Sequence, residues 1–139
     1  MAITTRAGKG SALTHTELDT NFTDLRDSVG YLTTGQGGTV TQGTSKSTGV
    51  TLSKKCGQIT MHNAALASDT TVSFTLTNST IAATDVVVLN HVSAGTAGSY
   101  LLNAQPAAGS ASINVRNITG GSLSEAIVIG FAVVKATTS

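Results

Sequence analysis

Apolar and polar positions follow two rhythms along this chain. In the first, Leu18, Phe22, Leu25, Val29 and Leu32 recur at spacings of four, three, four and three. That is one apolar stripe on a helix, with a heptad-like period. Thr14 and Glu17 form the capping-box pattern at its start, and Leu13 is placed to staple onto Leu18. Glu17 and Asp19 put negative charge where the helix dipole favours it. Gly30 is a stop signal, although Tyr31 and Leu32 can extend the stripe. An isolated helix of this length is marginal in water, so the stripe requires a cover. Two covers compete: the chain's own remainder, or other copies and a host protein.

The second rhythm has period two and begins after the Gly-rich stretch Thr33-Thr-Gly-Gln-Gly-Gly38. Thr71–Thr77 sets Val72, Phe74 and Leu76 on one face and Thr71, Ser73, Thr75 and Thr77 on the other. Further segments at Thr39–Gln42, Gly49–Leu52, Gly57–Met61, Asp85–Val92, Ser99–Ala104, Ser112–Asn117 and Glu125–Lys135 make seven or eight short strands. Turn signals separate them every ten residues or so, a spacing that predicts an antiparallel β-sandwich or jelly-roll-like body. In the last strand, Ile127, Ile129, Phe131 and Val133 share one face. Val128, Gly130, Ala132 and Val134 share the other, which is also apolar but smaller. A strand with two apolar faces is central, with a core on one side and a close neighbour on the other. The smaller face is the candidate subunit interface.

The fold class is therefore mainly β, with an N-terminal amphipathic helix ahead of the sandwich. The expected organisation is an arm and helix over 1–32, a hinge over 33–38 and a β body over 39–139. The stripe residues Leu18, Phe22, Leu25, Val29 and Leu32 are the candidate attachment surface.

Composition sharpens this picture. Charged residues are 11% of the 139, less than half the usual share. Seven of the fifteen lie in residues 1–32, which leaves eight for residues 33–139. Charge thus does little to keep copies of the body apart, and burial in an oligomer is expected. A net charge of +1 gives no basic patch for nucleic acid. Five aromatic residues and no Trp make a stacking platform or an aromatic sugar site an unfavoured reading. The longest apolar run, Ala126–Val134, has nine residues, too few to span a bilayer as a helix. No membrane partner is expected.

Cys56 is alone, so no intrachain disulfide is expected, in keeping with folding in a reducing cytoplasm. The first residues show no secretory signal. Without one, the sequons at Asn21, Asn78 and Asn117 read as by-products of a chain in which 24 residues are Thr.

Catalytic chemistry is sparse. His15, His62 and His91 form no ligand spacing with each other or with Cys56. No nucleophile elbow or phosphate loop occurs. Asp85 and Glu125 each open a strand and make an acid pair only if the fold joins them. Neither an enzyme nor any cofactor or metal is expected.

Lys9, Gly10, Leu13, Thr14, Glu17, Asp19, Asn21 and Phe22 fill a pattern, roughly Lys-Gly-x-x-Leu-Thr-x-x-Glu-x-Asp-x-Asn-Phe. This segment resembles the N-terminal motif of many tailed-bacteriophage fibre and appendage proteins. Asp85–Tyr100, Ile113–Asn117 and Leu123–Phe131 look like a β module of small phage structural proteins. The matching segments cover under half of the chain, and neither motif is catalytic. The resemblance implies a virion location after synthesis in the host cytoplasm, and commonly a homotrimer. The partners it implies are the major capsid protein or another virion protein. With no long shaft repeat, the chain fits a compact capsid decoration or cement protein better than a long fibre. A short tail-fibre or adhesin subunit is the alternative.

Overall fold

The computed structural model describes residues 4–29 and 35–138, with the side chains of 26–29 outside that description. The chain divides into two compact units, Met1–Gln36 and Gly37–Ser139.

The first unit holds two helices. α1, Arg6–Lys9, is a single turn that the hydrophobic pattern did not announce. Its ends explain it: Thr5 accepts from the Gly8 amide at the N-cap, and Gly10 closes the turn in the left-handed region at φ 73°. α2 spans His15–Val29. Its start is the expected capping box. The Thr14 hydroxyl accepts from the Glu17 amide at 3.2 Å, and the Glu17 carboxylate accepts from the Thr14 amide at 2.8 Å. Glu17 also pairs with the Lys9 ammonium. That pairing, with the Thr14 amide behind it, holds the carboxyl down at about 2. Asn21 ties the arm to the helix, accepting from the Thr4 amide at 2.9 Å and donating to the Thr4 carbonyl at 2.8 Å.

The second unit is a sandwich of two four-stranded sheets. Its strands are β1 (Thr39–Thr41), β2 (Val50–Thr51), β3 (Cys56–Thr60), β4 (Thr71–Thr77), β5 (Val86–Ser93), β6 (Tyr100–Ala107), β7 (Ser110–Asn117) and β8 (Val128–Val134). The first sheet runs β1-β3-β8-β5 and the second β2-β4-β7-β6. Up to β6 the chain changes sheet at every step, so strands next to each other in sequence rarely pair. The expectation of an antiparallel body is corrected at two places: β1 pairs β3, and β2 pairs β4, in parallel. Each short strand crosses to the other sheet before the chain returns beside it, and that return fixes the parallel sense. β6 and β7 form the one hairpin between named strands, closed at Gly109 with φ 75°. β6 runs on through Pro106, beyond the Ala104 limit expected, because an edge strand tolerates a residue with no N–H.

The core lies between the sheets, where the period-two pattern placed it. Phe74 and Leu76 of β4, Ile113 and Val115 of β7, and Ile129, Phe131 and Val133 of β8 are buried in one cluster with Ile59, Met61 and Ile127. Burying each such side chain stabilises the fold by roughly 1.5–3 kcal/mol.

Candidate functional site

The outer face of the first sheet is the most distinctive surface of the second unit. Register places Val86, Val88 and Asn90 of β5 beside Val134, Ala132 and Gly130 of β8. Cys56, Gln58 and Thr60 of β3 continue the rows, and Thr39 and Thr41 of β1 end them. No outward position on these four strands is charged. Val86 and Val88 are 53% and 51% exposed, and Val134 and Val92 are 46% and 42% exposed. Around Gly57, Gly130 and Ala132 the face dips into a hollow of about 530 Å³, with Val88, Asn90 and Val92 also lining it.

The four residues expected at a subunit interface all lie on this face, but they differ. Val134 is exposed, Val128 and Ala132 are half-buried, and Gly130 is buried. Gly130 is covered from within its own sheet. A Cβ there would lie 2.7 Å from Asn90 Oδ1 and 2.8 Å from Val92 Cγ2. The close neighbour inferred for the small face is thus β5 at this position. The exposed valines of β5 were hidden in the solid run Val86–Leu89, where periodicity does not separate inside from outside.

In the first unit, the stripe residues Leu18, Phe22 and Leu25 are 44%, 63% and 47% exposed. The helix is there, but these three side chains are not a buried face. Val29 closes the helix with its side chain outside the description, and Leu32 lies outside the described residues. Four polar members of the Lys9–Phe22 pattern have internal tasks: Lys9, Thr14, Glu17 and Asn21 hold the arm and the helix start together.

The outer face of the second sheet has another chemistry. Thr71, Ser73, Thr75 and Thr77 of β4 stand beside Arg116, Asn114, Ser112 and Ser110 of β7, and next to Leu101, Asn103, Gln105 and Ala107 of β6. The Ser73 hydroxyl donates to Asn114 at 2.6 Å, and the Asn114 amide reaches Asn103 at 3.2 Å. Arg116, the one charge in these rows, pairs with Asp69 at 2.7 Å.

The two carboxylates weighed as an acid pair sit at opposite ends of the β5–β8 ladder. Asp85 precedes Val86, which pairs with Val134, while Glu125 lies before Val128, which pairs with Ser93. Roughly 20 Å of strand separates them. Asp85 is buried and takes hydrogen bonds from Lys135 Nζ at 2.5 Å, the Ala82 amide at 2.7 Å and the Ala136 amide at 3.3 Å. Burial pushes its carboxyl up, but the Lys135 ammonium and the two amides outweigh burial and leave it below its ordinary range. Glu125 takes the Thr96 hydroxyl at 2.6 Å, the Tyr100 hydroxyl at 2.7 Å and the Thr96 amide at 3.0 Å. These hold it below its ordinary range as well.

Sequence reasoning missed Lys46. It is buried, and its ammonium donates to the His62 carbonyl at 2.6 Å and the Glu125 carbonyl at 2.5 Å. Burial pushes its pKa down, against the attraction of Glu125. Gln42 completes the knot, donating to the Lys46 and Thr48 carbonyls and accepting from the His62 amide. Lys46 belongs to no periodic run, and Gln42, at the end of the expected Thr39–Gln42 strand, shares the face of Val40 but is a polar residue that alternation alone does not assign to a core. Among the described residues, no group of three or more His, Cys, Asp or Glu is placed to hold a metal ion, and no helix is long and apolar enough to cross a membrane. No family model, curated protein or solved structure matches this chain.

Proposed function

We propose that this chain is a non-enzymatic virion structural protein, a trimeric capsid decoration (cement) protein that stabilises a phage head. The observation that carries the reading is the outer face of the first sheet, with four half-exposed valines and no charged position. An uncharged apolar sheet face gains free energy by leaving water, at roughly 25 cal/mol per Å². It also meets a copy of itself without like-charge repulsion. The foot supplies the attachment: Leu18, Phe22 and Leu25 stand out from a helix whose start is fixed by Glu17 on Lys9 and Thr14 and by Asn21 on Thr4. The mechanism is shape-matched binding across capsomer junctions, which adds burial that resists internal DNA pressure. The trimer and the virion location come from the resemblance of Lys9–Phe22 and of the β module to phage structural proteins.

The alternative is a short tail-fibre or adhesin subunit that binds a host surface receptor. The hydroxyl and amide rows on the outer face of the second sheet favour it, because Ser73, Asn114, Asn103, Thr75 and Gln105 present neutral donors and acceptors to a neutral receptor.

Cosedimentation tests the primary reading. Purified protein should bind saturably to phage heads that lack it and raise the temperature at which they release DNA. Binding to tails with none to heads overturns it in favour of the alternative.

A further inference from the structure

Three hydrogen-bond donors converge on the Glu125 carboxylate: the Thr96 amide, the Thr96 hydroxyl and the Tyr100 hydroxyl. Two of them belong to the segment Ser93–Gly98, which starts at the last residue of β5 and leads toward β6, and the third lies at the start of β6. The loop has few other ties. His91 Nε2 meets the Ala94 and Ser93 carbonyls at 2.6 and 3.1 Å, and the Ser99 amide reaches the Thr96 carbonyl at 3.3 Å. The loop is also bent against preference, with Ala94 at φ 59°, a left-handed conformation costly for a residue with a Cβ. Gly95, at φ 67°, lies so close to the carboxylate that a Cβ would stand 2.8 Å from Glu125 Oε2. Between the loop and the end of β5 is a notch of about 240 Å³, lined by His91, Val92 and Ala94 to Gly95 among others.

We propose that Glu125 is an acid-released latch for this loop: its carboxylate holds Ser93–Gly98 against the sandwich, and its protonation lets the loop go. The chemistry is one of hydrogen count. A carboxylate offers only acceptors to three donors. Protonation places a fourth hydrogen on one of its oxygens. A hydroxyl that turns to accept it stops donating, the Thr96 N–H cannot turn, and the bonds that remain go to a neutral group rather than to an anion, which roughly halves their strength. The bent loop then loses what holds it down, and the notch opens.

Three other titratable groups face Glu125, and one of them, His91, also meets the loop's Ser93 and Ala94 carbonyls and by its charge favours the ionised carboxylate. Tyr100 is pushed up, by burial and then by Glu125 itself, and stays a donor as the solution is acidified. Lys46 faces the backbone carbonyl of residue 125 with its ammonium. His91 stands edge-on to Tyr100, ring centres 5.9 Å apart. The three donors hold the Glu125 carboxyl below its ordinary value, so the unfolded or opened chain binds the proton more tightly. The latch is therefore closed above the ordinary glutamate range and opens as pH falls through the lowered value. This inference does not depend on the proposed assembly.

Amide hydrogen exchange of the full chain tests it. Glu125→Gln brings N–H groups into the same ring of donors and should act as the protonated form. At pH 7 the variant should lose at least about tenfold protection at Thr96 and Ser99, with β4 and β7 unchanged. The wild-type chain should show the same local loss on acidification before its sheets lose protection. Wild-type protection at Thr96 in the variant overturns the proposal. So does a single acid step in which loop and sheets open together.

Discussion

Asn78 and Asn117 end adjacent antiparallel strands at opposite ends of the second sheet, and each makes the same turn. Asn78 Oδ1 accepts from the Thr80 amide and hydroxyl at 2.9 and 2.8 Å. Asn117 Oδ1 accepts from the Thr119 amide and hydroxyl at 2.9 and 2.7 Å. Both side chains are fully buried, and their amides donate inward, Asn78 to the Lys54 carbonyl and Asn117 to those of Leu66, Ala67 and Gly121. Two Asn-x-Thr triplets that read as chance sequons are turn locks, and their buried Nδ2 atoms are closed to glycosylation.

Asn117→Ala should therefore be among the most damaging single changes in the body. It removes five hydrogen bonds from around one buried side chain. The Leu66, Ala67 and Gly121 carbonyls keep the Leu123 amide, the Thr70 amide and the Thr119 hydroxyl, but the Thr119 amide loses its acceptor, at about 1–3 kcal/mol if it stays buried and unpaired. Asn78→Ala should cost less, since it removes three hydrogen bonds rather than five. Urea unfolding of the two variants gives the ranking, and equal midpoints would contradict it.

The legible parts of the fold are those fixed by local pattern. Phe74, Leu76, Ile129, Phe131 and Val133 alternate strictly, and all five are buried in the core. Thr14 and Glu17 lie three residues apart and cap α2 as expected. Alternation tells which side chains share a face, but not which strand lies beside them. The parallel pairing of β1 with β3 was therefore invisible, since it depends on where the chain returns after β2. Lys46 was read only as a charge, and Glu125 only as a strand opener and candidate acid-pair member, because their partners are 16 to 79 residues away. The candidate interface was half legible: β8 declared its small face, whereas the exposed valines of β5 needed the register.

Asp85 makes stability depend on acid. Its folded pKa is lowered, so the unfolded chain binds the proton more tightly. Its contribution is complete above the ordinary aspartate range and disappears as pH falls through the lowered value. Stability should be flat from pH 7 to about 5 and then fall. Asp85→Asn should cost about 1–3 kcal/mol at pH 7 and flatten the acid limb. Urea midpoints from pH 3 to 7 check this, and an unchanged acid limb in the variant would count against the assignment.

Val88→Asp with Val134→Asp places two charges on the outer face of the first sheet without touching the core. The double variant should keep its unfolding free energy in urea within about 1 kcal/mol of the wild type and sediment as a monomer, against the trimer proposed for the wild type. A trimer that survives both charges would move the subunit contact to another surface.

Leu18, Phe22 and Leu25 changed together to Ser should abolish attachment to particles while the body stays folded. Each loss removes roughly 1.5–3 kcal/mol of burial from the contact. Cosedimentation with heads and circular dichroism on the same sample give both readings. Normal decoration by the triple variant would assign attachment to the β body.

A reconstruction of the virion proposed to carry this protein tests the central claim most directly. The account predicts groups of three sandwiches at capsomer junctions, each of two four-stranded sheets, with Val86, Val88 and Val134 covered. Density for the sandwich at the tail tip alone, or on the head with that valine face open to solvent, would contradict it.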